Sequence, residues 1–231
     1  IMKTASGVAT RDRLVLANNY ANLLQEMGDE DAALAHYRIA LELANDDRAR
    51  AVILTNIGNT EFRLRRYEQA IADFEQALPL RERAEGKESP GLSFALEGLG
   101  SAALALRHPG EAEQYFARAV ALRGINSAPN HSQLNVLNFG LALAHWGQGH
   151  DDEAFRLAVH TAQQQQSLLN SLATGFSEQQ SVAYDNLLVP ATALAVTIAA
   201  RHRNAAEIAT TWRLVMIERG LIARAEARRL A

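Results

Sequence analysis

The chain has 231 residues, 48% of them hydrophobic, and a formal net charge of −3. That is enough apolar material for one large or two small cores, and too balanced a charge for a general nucleic-acid or anionic-membrane binder, which needs a basic face. With no cysteine, disulfides, thiolate metal sites and cysteine nucleophiles are excluded within it, and a reducing, cytoplasmic setting is expected.

No membrane-spanning segment or secretory signal is expected. The longest apolar run, LLVPATALAVTIAA at 187–200, is too short for a span, contains Pro190 and stops at Arg201. The opening IMKTASGVAT lacks the apolar core of a signal peptide. Beginning with Ile and ending inside the helical pattern EARRLA, the chain reads as a fragment of a longer one.

Taken in chain order, the periodicity predicts helices in pairs. AALAHYRIAL at 32–41 places Ala33, Tyr37, Ala40 and Leu41 on one face; QAIADFEQAL at 69–78 repeats this with Ala70, Phe74, Ala77 and Leu78. EAEQYFARAV at 111–120 gives Ala112, Phe116, Ala119 and Val120, and EAFRLAVHTA at 153–162 is a degenerate fourth copy that keeps Ala154. The anchoring alanines step by 37, 42 and 42 residues, and a small residue stands twelve positions before each: Ala21, Gly58, Gly100 and Ala142. Small residues flanking one aromatic let helices approach closely. The turn signals Gly28-Asp29, His108-Pro109-Gly110 and Gly149-His150-Asp151 separate the two helices of three of the pairs. A helical pair cannot bury its apolar face alone, whereas a stack of pairs can.

These small–large–small signatures resemble the tetratricopeptide repeat (TPR), over residues 13–165. The resemblance implies an all-α, right-handed α-solenoid of four helix pairs near 13–45, 50–84, 90–124 and 131–165, within a domain at 1–171 and followed by a C-terminal helical pair at 172–231. The connector at 77–100 resembles the long subtype of kinesin light chains, whose asparagines survive as Asn18-Asn19 and Asn56. Pro79 is expected to kink or end its helix.

Beyond the fourth pair, capping boxes at Ser177–Gln180 and Asn204–Glu207 predict two more helices, the first bent at Pro190. Gly175, Ser177, Glu178, Gln179 and Tyr184, with Arg219-Gly220-Leu221, resemble the helical region that precedes the caspase-like peptidase domain of the CHAT class. That resemblance implies a regulatory or scaffold module whose catalytic residues lie outside these 231.

Other groupings are read as structural. His145, His150, Asp151 and Asp152 straddle a glycine turn rather than sharing a helix face, so no metal is expected. GLGSAA at 98–103 follows a helical pattern instead of a strand and is read as close helix packing. Gln163–Gln166 is expected on an exposed helix stretch. Residues 201–231 carry seven arginines against three glutamates, a balance of +4, read as a solvated or docking face and not a nucleic-acid arm. No nucleophile–base grouping has local support, so no enzyme activity and no cofactor are expected.

In the TPR resemblance the first helix of each pair lines the concave face. Its inward positions give Asn18, Asn22 and Gln25, then Thr55 and Asn59 with Arg63 adjacent, then Phe94 and Glu97, and last Phe139, Leu143 and Trp146. Amides offer donors and acceptors suited to the backbone of an extended peptide. The expected partner is a protein or peptide, with no nucleic acid and no membrane. The apolar Phe139–Leu143–Trp146 end is expected to be covered by the C-terminal helices or by a partner. A free-standing adaptor with no linked enzyme is the alternative role.

Overall fold

The computed structural model describes residues 2–124, 132–172 and 190–229, with side chains over 10–124, 133–168 and 190–217. Among these, all regular structure is helical. The chain divides into two compact units, 1–122 and 123–231. Each is a succession of helical hairpins of the α-solenoid kind.

The first unit holds α1 (Met2–Glu26), α2 (Glu30–Leu43), α3 (Asp47–Arg63), α4 (Tyr67–Glu85), α5 (Ser93–Ala105) and α6 (Pro109–Gly124), with a short 3₁₀ turn at Pro90–Leu92. The hairpin turns share one device, a residue in the left-handed region. Gly28 has φ 81°, and Arg65 and Arg107 have φ 59° and 62°. At each, the next amide reaches back across the turn: Asp29 N donates to Leu24 O (2.9 Å), Arg66 N to Glu61 O (2.9 Å) and His108 N to Ala103 O (2.8 Å). These bonds satisfy carbonyls that a helix end leaves bare. The same backbone form at Arg65 and Arg107, without glycine, marks turns whose tertiary setting outweighs local preference. Asp29 and Asp46 then cap α2 and α3, accepting from Ala32 N (3.2 Å) and Ala49 N (2.7 Å).

Pro79 does not end its helix: α4 runs through it to Glu85 and stops at Gly86, φ 90°. The missing N–H lies on an exposed side of α4, where water can take up the freed carbonyl.

The unit's packing turns on the recurring aromatic. Tyr37, Phe74 and Phe116 are almost wholly buried, with Ala33, Ala40, Ala70, Ala77, Ala112 and Ala119 around them. A methyl group on Gly58 would stand 2.7 Å from the Phe74 ring, and one on Gly98 would stand 2.3 Å from it. The ring is therefore held between α3 of its own pair and α5 of the next. Gly100 does the same for Phe116, at 2.7 Å. GLGSAA is thus a packing element: Gly98 receives one pair's ring and Gly100 the next pair's. Around this core Arg83 meets Asp47 (2.8 Å), Arg48 meets Glu85 (3.1 Å) and Arg118 meets Glu82. Such partly exposed pairs set register more than they stabilise.

The second unit holds α7 (Ser132–Gly147), α8 (Asp151–Leu172), α9 (Ala191–His202) and α10 (Ala205–Arg229). Its turns repeat the left-handed device at Gly149 (φ 81°) and Arg203 (φ 55°). The helix α8 packs on α7, α9 and α10; Ala142, Ala154, Ala158, Leu194, Ala195 and Ile198 form one core, with Phe139 and Leu143 against it. The fourth pair therefore shares its interior with the C-terminal pair, and the compact division falls before it. Gln165 and Gln166 are buried, not exposed as the polar run suggests, and Gln166 Nε2 donates to Leu214 O at 2.9 Å. Pro190 precedes α9 instead of bending a helix. Asn204 caps α10 by accepting from Ala206 N (2.9 Å). Glu207 does not close the expected box: its carboxylate lies 3.0 Å from His202 Nδ1, while His202 Nε2 faces Asp151 at 3.4 Å. One imidazole thereby ties the α9–α10 junction to the start of α8. The proposed capping box at Ser177–Gln180 lies outside the described residues.

Gly98→Ala forces a Cβ onto a ring already closed in from the other side by Gly58. Overpacking outweighs the gain in helix propensity, so a net loss of about 1–2 kcal/mol is expected in a denaturant melt. Phe74→Leu in the same chain should recover part of it.

Candidate functional site

The N-terminal set of candidate residues is joined by hydrogen bonds rather than arrayed separately. Tyr37 stands where the second and third pairs have Phe74 and Phe116, so its hydroxyl needs a partner inside the pair. It donates to Asn22 Oδ1 at 2.5 Å, with Gln25 Oε1 3.4 Å away. Burial, then the nearby Glu30 charge, pushes this hydroxyl up to about 12, which keeps it a donor. Gln25 Nε2 donates to Thr60 Oγ1 (3.0 Å), which donates to Asn56 O (2.8 Å). Asn56 Nδ2 donates to Asn18 Oδ1 at 3.1 Å. Arg63 Nε donates to Glu30 Oε1 (2.6 Å). Asn18, Asn22, Gln25 and Arg63 thus tie α1 to α2 and α3. The substitution of Tyr for Phe at position 37 is the signal in the sequence that a local polar network had to exist; Thr60 and Asn56 carry it.

The remaining candidates divide by exposure. Thr55 is buried and donates to Ala51 O of its own helix at 2.8 Å. Asn59 is exposed on α3. Phe94 is 43% exposed at the start of α5 with the Arg81 guanidinium 5.9 Å from its ring centroid, a cation–π arrangement. Glu97 is half-buried one turn further along α5. In the second unit Phe139 and Leu143 pack against the core that includes Leu194 and Ile198 of α9; Trp146 is 36% exposed near the end of α7. The His145 and His150 rings lie 5.9 Å apart across the turn, tilted 49° to one another.

One acidic cluster lies at the junction of the first two pairs. Glu61 is buried and meets Arg66 (3.2 Å) and Arg38 (3.7 Å). Asp73 sits beside it, and burial first, then the Glu61 charge, raises the Asp73 carboxyl from 3.8 to about 6, with Arg38 opposing.

Two tetratricopeptide-repeat family models match this sequence, one over residues 16–47 and the other over 49–124. No curated protein matches it. Among solved structures, it is similar to BtubC (BKLC) from P. vanneervenii, at 15% identity over 95% of this chain and 91% of that one, with a TM-score of 0.68. It is similar to the nearly identical TPR-like repeats of a kinesin light chain from Podosopora anserina, at 16% identity over 92% and 96%, TM-score 0.66. It is also similar to YrrB, described as a TPR protein with an unusual peptide-binding site, at 24% identity over 85% and 90%, TM-score 0.50. At these identities the likeness is one of fold.

Because Asp73 binds its proton more tightly folded than unfolded, its contribution is full below about pH 3.8 and is lost as pH rises through about 6. Asp73→Asn should therefore be more stable than the parent at pH 7–8 and indistinguishable from it near pH 3.5 in parallel thermal melts. The spacing of the alanines and rings, the hairpin turns and the two family matches agree: the chain carries tetratricopeptide repeats over residues 16–47 and 49–124.

Proposed function

We propose that the chain is a non-catalytic protein-interaction module that receives an extended segment of a partner protein along the first-helix face of its N-terminal unit. The observation that carries this reading is the division of labour on that face. Asn18, Asn22, Gln25 and Arg63 are fixed by bonds within the unit, while Asn59 and Phe94 present an amide and an aromatic ring to solvent. A rigid polar wall beside exposed amide and aromatic groups suits main-chain recognition with one anchoring side chain. TPR proteins are in general protein-binding, and YrrB is described as having a peptide-binding site; both support the reading. No helix among the described residues is long and apolar enough to cross a membrane.

The reading extends, on the sequence resemblance of Gly175, Ser177, Glu178, Gln179, Tyr184 and Arg219–Leu221, to a cytoplasmic regulatory or scaffold portion of a larger CHAT-type peptidase. Residues 175–184 lie outside the described part of the chain. In that role the C-terminal pair would carry the effect of partner binding to an adjacent peptidase domain, through two packings of different partner affinity. A free-standing adaptor remains the other use of the same surface.

Peptides selected from a displayed random library on the intact chain test the binding surface. Asn59→Ala and Phe94→Ala are both surface changes, so helicity should be unaltered while affinity falls about tenfold or more. Asn22→Ala is the less clean probe, because it also strips Tyr37 of its acceptor. Selected peptides that bind both exposed-residue variants as tightly as the parent would contradict the proposal.

A further inference from the structure

The second unit brings together a ligand set that the sequence scatters. Asp152 stands in the first turn of α8, His202 ends α9 and Glu207 lies in the first turn of α10. One ligand atom from each, a carboxylate oxygen from the two acids and a ring nitrogen from the imidazole, lies within 4.8 Å of the other two. The first and last of these residues are 55 positions apart, so no short motif announces them. His145 and His150 are not members of the set.

The imidazole is turned as a metal ligand is. Its Nδ1 points at the Glu207 carboxylate, 3.0 and 3.3 Å from the two oxygens, and its Nε2 faces Asp151 Oδ2 at 3.4 Å. A ligating histidine almost always gives its other ring nitrogen a carboxylate, carbonyl or water, which fixes the ring. Asp151 fills that place and is itself held by Arg201 at 3.3 Å. Donors about 2.1 Å from a shared cation stand roughly 3 Å apart when they bind side by side, as Nδ1 and Glu207 do. Asp152 is exposed, so a turn of its side chain completes the set.

The charge there is short of a dication. Glu153 is taken up by Arg156 at 2.9 Å. Asp151, Asp152 and Glu207 remain, and the guanidinium that meets them among the described residues is Arg201. With the imidazole neutral, as a ligand must be, that leaves two negative charges. Asp151 Oδ1 is moreover sealed from solvent and accepts no hydrogen bond. A buried acceptor without a partner costs free energy, and a cation beside this carboxylate, with its bound water, offsets that cost.

We propose that Asp152, His202 Nδ1 and Glu207 bind one divalent transition-metal ion of the zinc class, with Asp151 as the carboxylate behind the imidazole and water in the open position. One ring nitrogen with carboxylate oxygens suits zinc above magnesium or calcium, which prefer oxygen alone. The ligands belong to three helices, so the ion pins the α9–α10 junction to the head of α8 and fixes the C-terminal pair against the fourth pair.

Isothermal titration calorimetry of the intact, chelator-stripped chain with zinc chloride tests this, beside thermal melts with and without the ion. The parent should bind one equivalent with a Kd of about 10 μM or tighter, melt higher with zinc, and keep it against millimolar magnesium. Asp152→Asn changes an exposed side chain, so helical content should be unaltered while zinc affinity falls about tenfold or more. His202→Gln should lose both the binding and the zinc-dependent rise in melting temperature. His150→Ala, a control for zinc caught on an exposed histidine, should bind as the parent does. A parent that takes up no zinc at about 100 μM overturns the inference. Zinc held equally well by Asp152→Asn and His202→Gln, or lost in His150→Ala, is an adventitious ion only and overturns it too.

Discussion

The close seating of one aromatic ring between glycines of neighbouring pairs is the constraint on which the N-terminal unit depends. Phe74 fills the space that Gly58 and Gly98 leave on either side of it, and Phe116 meets Gly100 of its own pair. A side chain at any of those glycines would hold the helices apart, and the surrounding alanines would lose contact with their neighbours. The second pair is incomplete until the third closes on its ring through Gly98, so stability is shared between those two pairs instead of residing in either alone.

Much of this is legible in the sequence, because the recurrence of a small residue, a ring and a second small residue has no other economical use on a helix face. The fold class, the pairing of helices and the reading of GLGSAA as a packing element all come from that spacing. Other features are not legible because they depend on residues distant in the chain. Gln165 and Gln166 look like a solvated polar run, yet both are buried, and α10, nearly fifty residues later, gives Gln166 the Leu214 carbonyl. Arg65 and Arg107 give no hint of a left-handed backbone, which is imposed by the hairpins they join. Pro79 signals a helix end, yet α4 continues because its free carbonyl can face water.

The candidate binding residues show the same mixture. The TPR resemblance puts Asn18, Asn22, Gln25 and Asn59, with Arg63 adjacent, on the inward side of the first helices, but it says nothing of which are already engaged. The hydroxyl of Tyr37 decides it, drawing Asn22 and Gln25 into the interior of the first pair. Asn59 and Phe94 remain outward. At the other end, Phe139 and Leu143 are taken up by the α9 core, which moves the weight of the proposed recognition surface toward the N-terminal unit.

Native-state hydrogen exchange across a denaturant series tests most directly the idea that pairs are locked together through the shared ring. Amides of α3, α4 and α5 should converge on a single opening free energy, since Phe74 cannot leave one pair without unseating the next. An α5 that opens at distinctly lower free energy while α3 and α4 stay protected would contradict it.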